Sequence, residues 1–345
     1  MSTHPGDDPF RNSLKARLRN RAQELGTRDA NQLHQSFLME TFLGRVFDDP
    51  SSEWVLRGGM NMLARIPTAR HTTDIDLIDG ESAQLEQTRE RIKAFTGASE
   101  RDPFEMDLSF GEAMTGHASG FSAAVTVTYR GEQFGRFTLD VETEHAFVGA
   151  VRMTPVTPVV SLPQISPVTQ MRLYPLEDQV ADKTAAMYQT HRGGLRPSTR
   201  YRDLIDLALI ASTPGLEPDV PTVREALRVQ AQARGIEDLP AAYVVPHEAW
   251  REGYERATAK VPHLPGRIKE LDSALALVNE RFSAVLERPS PSPRRQASDT
   301  SQRLRAALER LQAQSEARTS TTKSGPRTRD DTPPAHSTPG PSLGP

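Results

Sequence analysis

Asp74 and Asp76, separated by one apolar residue in the run DIDLID, lie in a segment that otherwise reads as a buried strand. Side chains two apart in a strand share a face, with about 7 Å between Cα atoms, so the two carboxylates converge while Ile75 and Leu77 enter the core. Burying acids costs free energy unless something compensates them. Mg²⁺ suits such a pair, because this small hard ion takes one or two carboxylates and completes its shell with water and substrate phosphates. A third carboxylate from a neighbouring strand would allow two ions about 4 Å apart, holding both the attacking and the leaving oxygen of a phosphoryl transfer. Asp140 in RFTLDVE is the candidate, because Thr138, Asp140 and Glu142 share the face opposite Phe137, Leu139 and Val141. Glu142 is the second choice. Ahead of the aspartates, Gly58-Gly59 precede a predicted short helix, where backbone N–H groups can approach a phosphate closely and the helix dipole favours its charge. An EF-hand is excluded, since its fifth and sixth loop positions would be Ile78 and Asp79 rather than an oxygen ligand and glycine. Spacing alone leaves open an exposed strand edge for the aspartates and a plain turn for the glycines.

These residues need a scaffold. WVLR reads as a strand into the glycine turn, MNMLARI as one or two helical turns, and DIDLI as a second strand. Upstream, Phe10, Leu14, Leu18, Ala22 and Leu25 recur at helical spacing in a basic amphipathic helix that Gly26 stops. A second helix is predicted from Asp29 to Phe47, ahead of Pro50. Residues 83 to 96 read as a surface helix and Phe104 to Phe110 as a strand. FSAAVTVTYRGEQFGRFTLDVE reads as a β-hairpin turning at Arg130-Gly131-Glu132. Residues 151 to 176 hold Pro155, Pro158, Pro163, Pro167 and Pro175, which predicts an extended crossover. From Leu176 the texture is helical: LEDQVADKTAAMYQTHR, STRYRDLIDLALIAS, VPTVREALRVQAQARG and RIKELDSALALVNERFSAVLER. The expected organisation is α+β: N-terminal helices over 1–50, a mixed β-sheet domain with helices over 51–175, a helical domain over 176–288, and a low-complexity, disordered tail over 289–345.

The chain has 345 residues and no cysteine, so it has neither a disulfide framework nor a cysteine zinc site or nucleophile. Its nine histidines form no HxxxH or HxH pair, which argues against a zinc enzyme. No apolar run approaches the roughly 20 residues that span a bilayer, and the polar start lacks a signal-peptide core, so a cytoplasmic protein without membrane contact is expected. The formal net charge of −3 is unevenly spread: residues 289–345 carry nine Lys or Arg against five Asp or Glu. The rest is therefore acidic overall, which leaves only a local basic face for nucleic acid.

LRGGMNML followed by RHTTDIDL resembles the pattern of GG or GS, an intervening helix, then R-x-S/T-x-D-x-D in the AbiEii/AbiGii nucleotidyltransferase toxins of the polymerase-beta-like superfamily. ADKTAAM and STRYRDLIDLALI resemble that family's lysine-bearing helix and its downstream R/K-D-x-x-D-L helix. These segments follow in the expected order across about residues 40 to 215. The resemblance implies a nucleotidyltransferase-like sheet domain in which Asp74 and Asp76 bind Mg²⁺ and Gly58 and Gly59 hold the NTP phosphates. It further implies that Lys183 reaches the triphosphate, that Asp203 and Asp206 lie near the nucleotide, and that Arg70 and Thr72 brace the Asp-x-Asp strand. Arg57 stands where a lysine is more usual. Asp203 and Asp206 could equally pair with Arg200 or Arg202. The implied activity is transfer of a nucleoside monophosphate to an acceptor such as tRNA, by the toxin of a type IV-like toxin-antitoxin or phage-defence pair with a separately encoded antitoxin. A small-molecule or protein acceptor, and a non-catalytic nucleotide-binding module, are the rival readings.

Overall fold

The computed structural model describes residues 8–26, 29–81, 84–114, 119–143, 145–190, 198–261 and 263–287. The expected tail, 289–345, lies outside them. Helix α1 (Pro9–Glu24) begins where the Asp8 side chain accepts from the Phe10 and Arg11 N–H groups, with Pro9 in the first turn. Phe10, Leu14, Leu18 and Ala22 form its buried face, and Gly26, at φ +67°, follows its end. Helix α2 (Ala30–Val46) is capped by Asp29 in the same way and buries Phe37, Phe42 and Val46.

The predicted strand, helix, strand unit is β1 (Trp54–Arg57), α3 (Gly58–Arg65) and β2 (Asp74–Asp79). After α4 (Leu85–Lys93) and β3 (Gly97–Ser99) come β4 (Asp102–Met114), β5 (Ser119–Tyr129) and β6 (Glu132–Thr143). The β5–β6 hairpin turns on Arg130 and Gly131, both at positive φ (52° and 78°), as a two-residue turn requires. Eight strands form one mixed sheet in the order β3-β4-β5-β6-β2-β1-β8-β7, where β7 is Arg152–Pro155 and β8 is Gln170–Leu173.

The last two strands correct the reading of the proline-rich stretch as a plain crossover. β8 runs parallel to β1, with Tyr174 N donating to Leu56 O at 2.8 Å, and β7 closes the edge. The prolines are compatible because Pro155 ends an edge strand and Pro175 begins the next helix, where a missing N–H breaks no ladder.

Helices α1 and α2 cover one sheet face in a core that includes Phe37, Phe42, Leu56, Ile75, Leu77, Leu139 and Val141. The remaining helices are α5 (Leu176–Tyr188), α6 (Tyr201–Ser212), α7 (Val220–Ala233), α8 (Trp250–Ala259), α9 (Gly266–Lys269) and α10 (Leu271–Leu286). They enclose a second core around Val180, Leu204, Ile205, Trp250, Tyr254 and Phe282. Helix α3 joins both: Met60 packs in the first core, Met62 and Ile66 in the second.

Candidate active site

The parallel pairing of β2 with β6 sets Asp76 beside Asp140, while the antiparallel pairing with β1 sets Arg57 on its other side. Asp74 and Asp76 are half-buried between the buried Ile75 and Leu77, so the alternation read from the sequence holds. Burial and the neighbouring carboxylates of Asp74, Asp140 and Glu142 push Asp76 up to about 6, against the pull of Arg57. Asp140 also rises, through burial and then Asp74 and Glu142, against a hydrogen bond from Ser122. The Thr72 hydroxyl donates to Asp74 Oδ1 and fixes its orientation.

Gly58 and Gly59 open α3 against this acidic edge. Gly58 has φ +64°, and a Cβ there would collide with the Asp76 carboxylate; a Cβ at Gly59 would lie 2.5 Å from Thr72 Cβ. Gly58 is thus required both by its backbone conformation and by close packing on Asp76, and Gly59 by close packing on Thr72. Arg57, at the cap position, makes no side-chain bond to the first N–H groups of α3. Its guanidinium pairs with Glu142, reaches Asp182 on α5 at 3.3 Å and stacks over Tyr174. Burial works against this charge, but Asp182 and Glu142 more than restore it, and Arg57 titrates above its ordinary range. Burial also opposes the Asp182 charge, yet Arg57 and Arg234 bring it down to about 2.

A second charged group lies on α5 and α6. Lys183 Nζ donates to Asp203 Oδ1 at 3.1 Å and Asp206 Oδ2 at 2.5 Å. Arg70 grips Asp206 with two bonds, at 3.1 and 3.0 Å, and Arg200 Nε donates to Asp203 at 2.7 Å. Burial opposes the Lys183 charge, but the two aspartates raise its pKa. Burial likewise opposes the Asp206 charge, but Lys183 and Arg70 lower its pKa.

A cavity of about 1240 Å³ connects the two groups; its wall includes Gly58, Gly59, Arg70, Thr72, Asp74, Asp76, Lys183 and Asp203. Arg57 and Glu142 line it too, whereas Asp140, the partner of Asp76 on β6, and the fully buried Asp206 are not among the wall residues.

Residues 41–288 match the family model described as nucleotidyl transferase AbiEii toxin, type IV toxin-antitoxin system. The chain belongs to the AbiEii family. It is accordingly a nucleotidyltransferase of the toxin class, which implies an NTP substrate and an antitoxin partner. Its fold is similar to MenT4, a nucleotidyltransferase toxin from Mycobacterium tuberculosis H37Rv, with TM-score 0.52 and 16% identity over 90% of this chain and 99% of that one. Two Helicobacter pylori structures are more distant. A putative nucleotidyltransferase has TM-score 0.42 and 14% identity, covering 72% of this chain and 92% of that one. JHP933 has TM-score 0.43 and 14% identity, covering 83% and 99%. No curated protein matches the chain.

AbiEii membership brings a divalent metal into question, and the acidic edge fits one. Asp74 and Asp76 face the cavity, and burial with the carboxylates of Asp74, Asp140 and Glu142 opposes the Asp76 charge against the single pull of Arg57, so a cation there would be favoured. Among the described residues no group of three or more His, Asp or Glu side chains is preassembled as a metal cage. Among the described residues no helix is long and apolar enough to cross a membrane.

Several cavity residues escaped the sequence reading. Asp182 carried no signal, because its partners Arg57 and Arg234 are remote in the chain. Helix α8, which brings Arg256, Ala257 and Lys260 to the wall, was also missed. Its signal was present in the helical spacing of Trp250, Tyr254, Ala257 and Val261.

Proposed function

We propose that this AbiEii protein transfers a nucleoside monophosphate from an NTP to the 3′ end of tRNA in a Mg²⁺-dependent reaction. The observation carrying this reading is the juxtaposition of Asp74 and Asp76 with the open, glycine-lined start of α3 on one cavity wall. Asp74 and Asp76 hold the cation, with Asp140 as the third carboxylate beside them. When bound, the cation stabilises charge on the phosphoryl oxygens. The N–H groups at Gly58 and Gly59 receive the phosphates, and Thr72 keeps Asp74 turned toward them. Asp140, its basicity raised by burial, takes the proton from the acceptor hydroxyl. The acceptor oxygen then bonds to the α-phosphorus, the bond to the bridging oxygen breaks, and pyrophosphate leaves. Lys183, oriented by Asp203 and Asp206, balances the charge gathering on pyrophosphate. Arg70 supports Lys183 through Asp206 and does not itself need to touch the nucleotide.

An RNA acceptor is supported by the exposed Arg202, Arg256 and Lys260 on the same cavity wall, which suit a phosphate backbone. In the cytoplasm such a modification would stop translation, and the toxin would be held in check by a separately encoded antitoxin, in phage defence or growth control. The test is incubation with Mg²⁺, each NTP labelled at the α-phosphate and total tRNA, beside an Asp74→Ala Asp76→Ala control. Label should enter tRNA only with both aspartates intact. Failure to label RNA from any NTP would remove the tRNA reading and turn attention to small-molecule or protein acceptors.

A further inference from the structure

The cavity wall holds a feature that phosphate and metal chemistry leave unused. Tyr201, the first residue of α6, is the one Tyr, Phe or Trp side chain in that wall among the described residues. Its ring is only partly buried, and among the described residues its hydroxyl makes no hydrogen bond. The ring is nevertheless firmly backed. Trp250 meets it edge to face, with centroids 5.2 Å apart at 75°, and the Trp250 indole is itself fixed by donating to Ser198 O at 2.7 Å. Gly253, in the first turn of α8, lies directly against the ring, and a Cβ there would collide with the ring carbons. A glycine inside a helix costs stability relative to alanine, and Gly253 has no positive φ to explain it. Its use here is to seat Tyr201.

We propose that Tyr201 is the stacking platform for the nucleobase of the incoming NTP, an inference that rests on the transferase reading above. A rigid aromatic ring open to a cavity on one side presents the flat apolar surface that every base can stack on. Ala257 and Val261 continue that surface along the same wall. Tyr201 also lies one helical turn or less from Asp203, which holds Lys183, so phosphate and base contacts share one rigid helix end. An incoming nucleotide can thus place its triphosphate at Lys183 and its base against Tyr201 without spanning a mobile joint.

The test is calorimetric titration of the full chain, in Mg²⁺, with a non-hydrolysable NTP analogue and separately with inorganic tripolyphosphate. Tyr201→Leu should weaken the analogue roughly 10- to 100-fold, the range of a lost base–aromatic stack, and leave tripolyphosphate unchanged. Tyr201→Phe should bind both like the unaltered chain. Gly253→Ala, which keeps the ring but displaces it, should also weaken the analogue alone, and it carries the test if Tyr201→Leu does not fold. Unchanged analogue affinity in these variants would overturn the platform, as would equal loss of both ligands, which marks a purely structural ring. A rise in acceptor KM with analogue binding intact would assign the ring to the acceptor and overturn it too. If the unaltered chain binds no NTP analogue, the transferase reading itself fails.

Discussion

The acidic edge of the sheet and the charged cluster on α5 and α6 solve opposite electrostatic problems a short distance apart. At the edge, Asp76 is buried with Asp74, Asp140 and Glu142 around it and only Arg57 in opposition, and its carboxyl rises to about 6. In the cluster, Asp203 and Asp206 are matched by Lys183, Arg70 and Arg200, and the charges of Lys183 and Asp206 are reinforced. One group is short of positive charge and is built to receive it; the other is already complete and is built to stay put. The proposed mechanism needs both, because a cation site must be able to gain a ligand and the side chains that orient the substrate must not move.

The sharpest way to break the contrast is to remove the receiving group. Asp74→Ala with Asp76→Ala should lower transfer by roughly 10³-fold or more, since in the proposed mechanism several kcal/mol of charge stabilisation depend on the metal, while the melting temperature of the metal-free protein does not fall below that of the unaltered chain. Nucleotide incorporation and a thermal melt check the two halves together. Asp206→Ala should do the reverse. It leaves Lys183 and Arg70 buried with one carboxylate fewer, and should cost about 3 kcal/mol or more in denaturant unfolding.

A finer test uses pH. The folded-state pKa of Asp76 lies above the unfolded value near 3.8, so the folded chain holds the extra proton between about 4 and 6. Stability from this group is present at low pH and is lost as pH rises through 6. Asp76→Asn should therefore stabilise the metal-free protein by about 3 kcal/mol at pH 7, with most of the gain lost at pH 4. Equal melting curves for the two proteins at pH 7 would deny the penalty on the Asp76 charge on which the contrast rests. The smallest effect is expected at the rim: Arg256→Ala with Lys260→Ala should lower the slope of log affinity for tRNA against log salt by about 1 to 2 and leave NTP binding unchanged.

Much of the edge was legible in sequence, because strand alternation fixes which side chains face together. Ile75 and Leu77 against Asp74 and Asp76, and Leu139 and Val141 against Asp140, needed only a period of two. The hairpin was legible for a similar reason, through a turn dipeptide between two alternating runs. The cluster was legible in part: Asp203 and Asp206 lie on one helical face, but that Lys183 sits between them depends on how α5 packs on α6. β7 and β8 were hidden because each is only four residues long, with Pro155 inside β7 and Pro167 and Pro175 on either side of β8. Arg57 was noticed for its place before the glycines, yet its bonds to Glu142 and Asp182 join segments 85 and 125 residues away and have no local signature.

Helix α3 sets the order in which these parts can become active during synthesis. Its Met60 is seated by the sheet core, but Met62 and Ile66 are seated by side chains from α5 onward. A nascent chain that has emerged only through β8 carries Asp74, Asp76 and Asp140, yet lacks Lys183, Tyr201 and half the packing that steadies the glycine turn. The proposed transferase site is therefore incomplete until α5 and α6 have docked on the sheet domain.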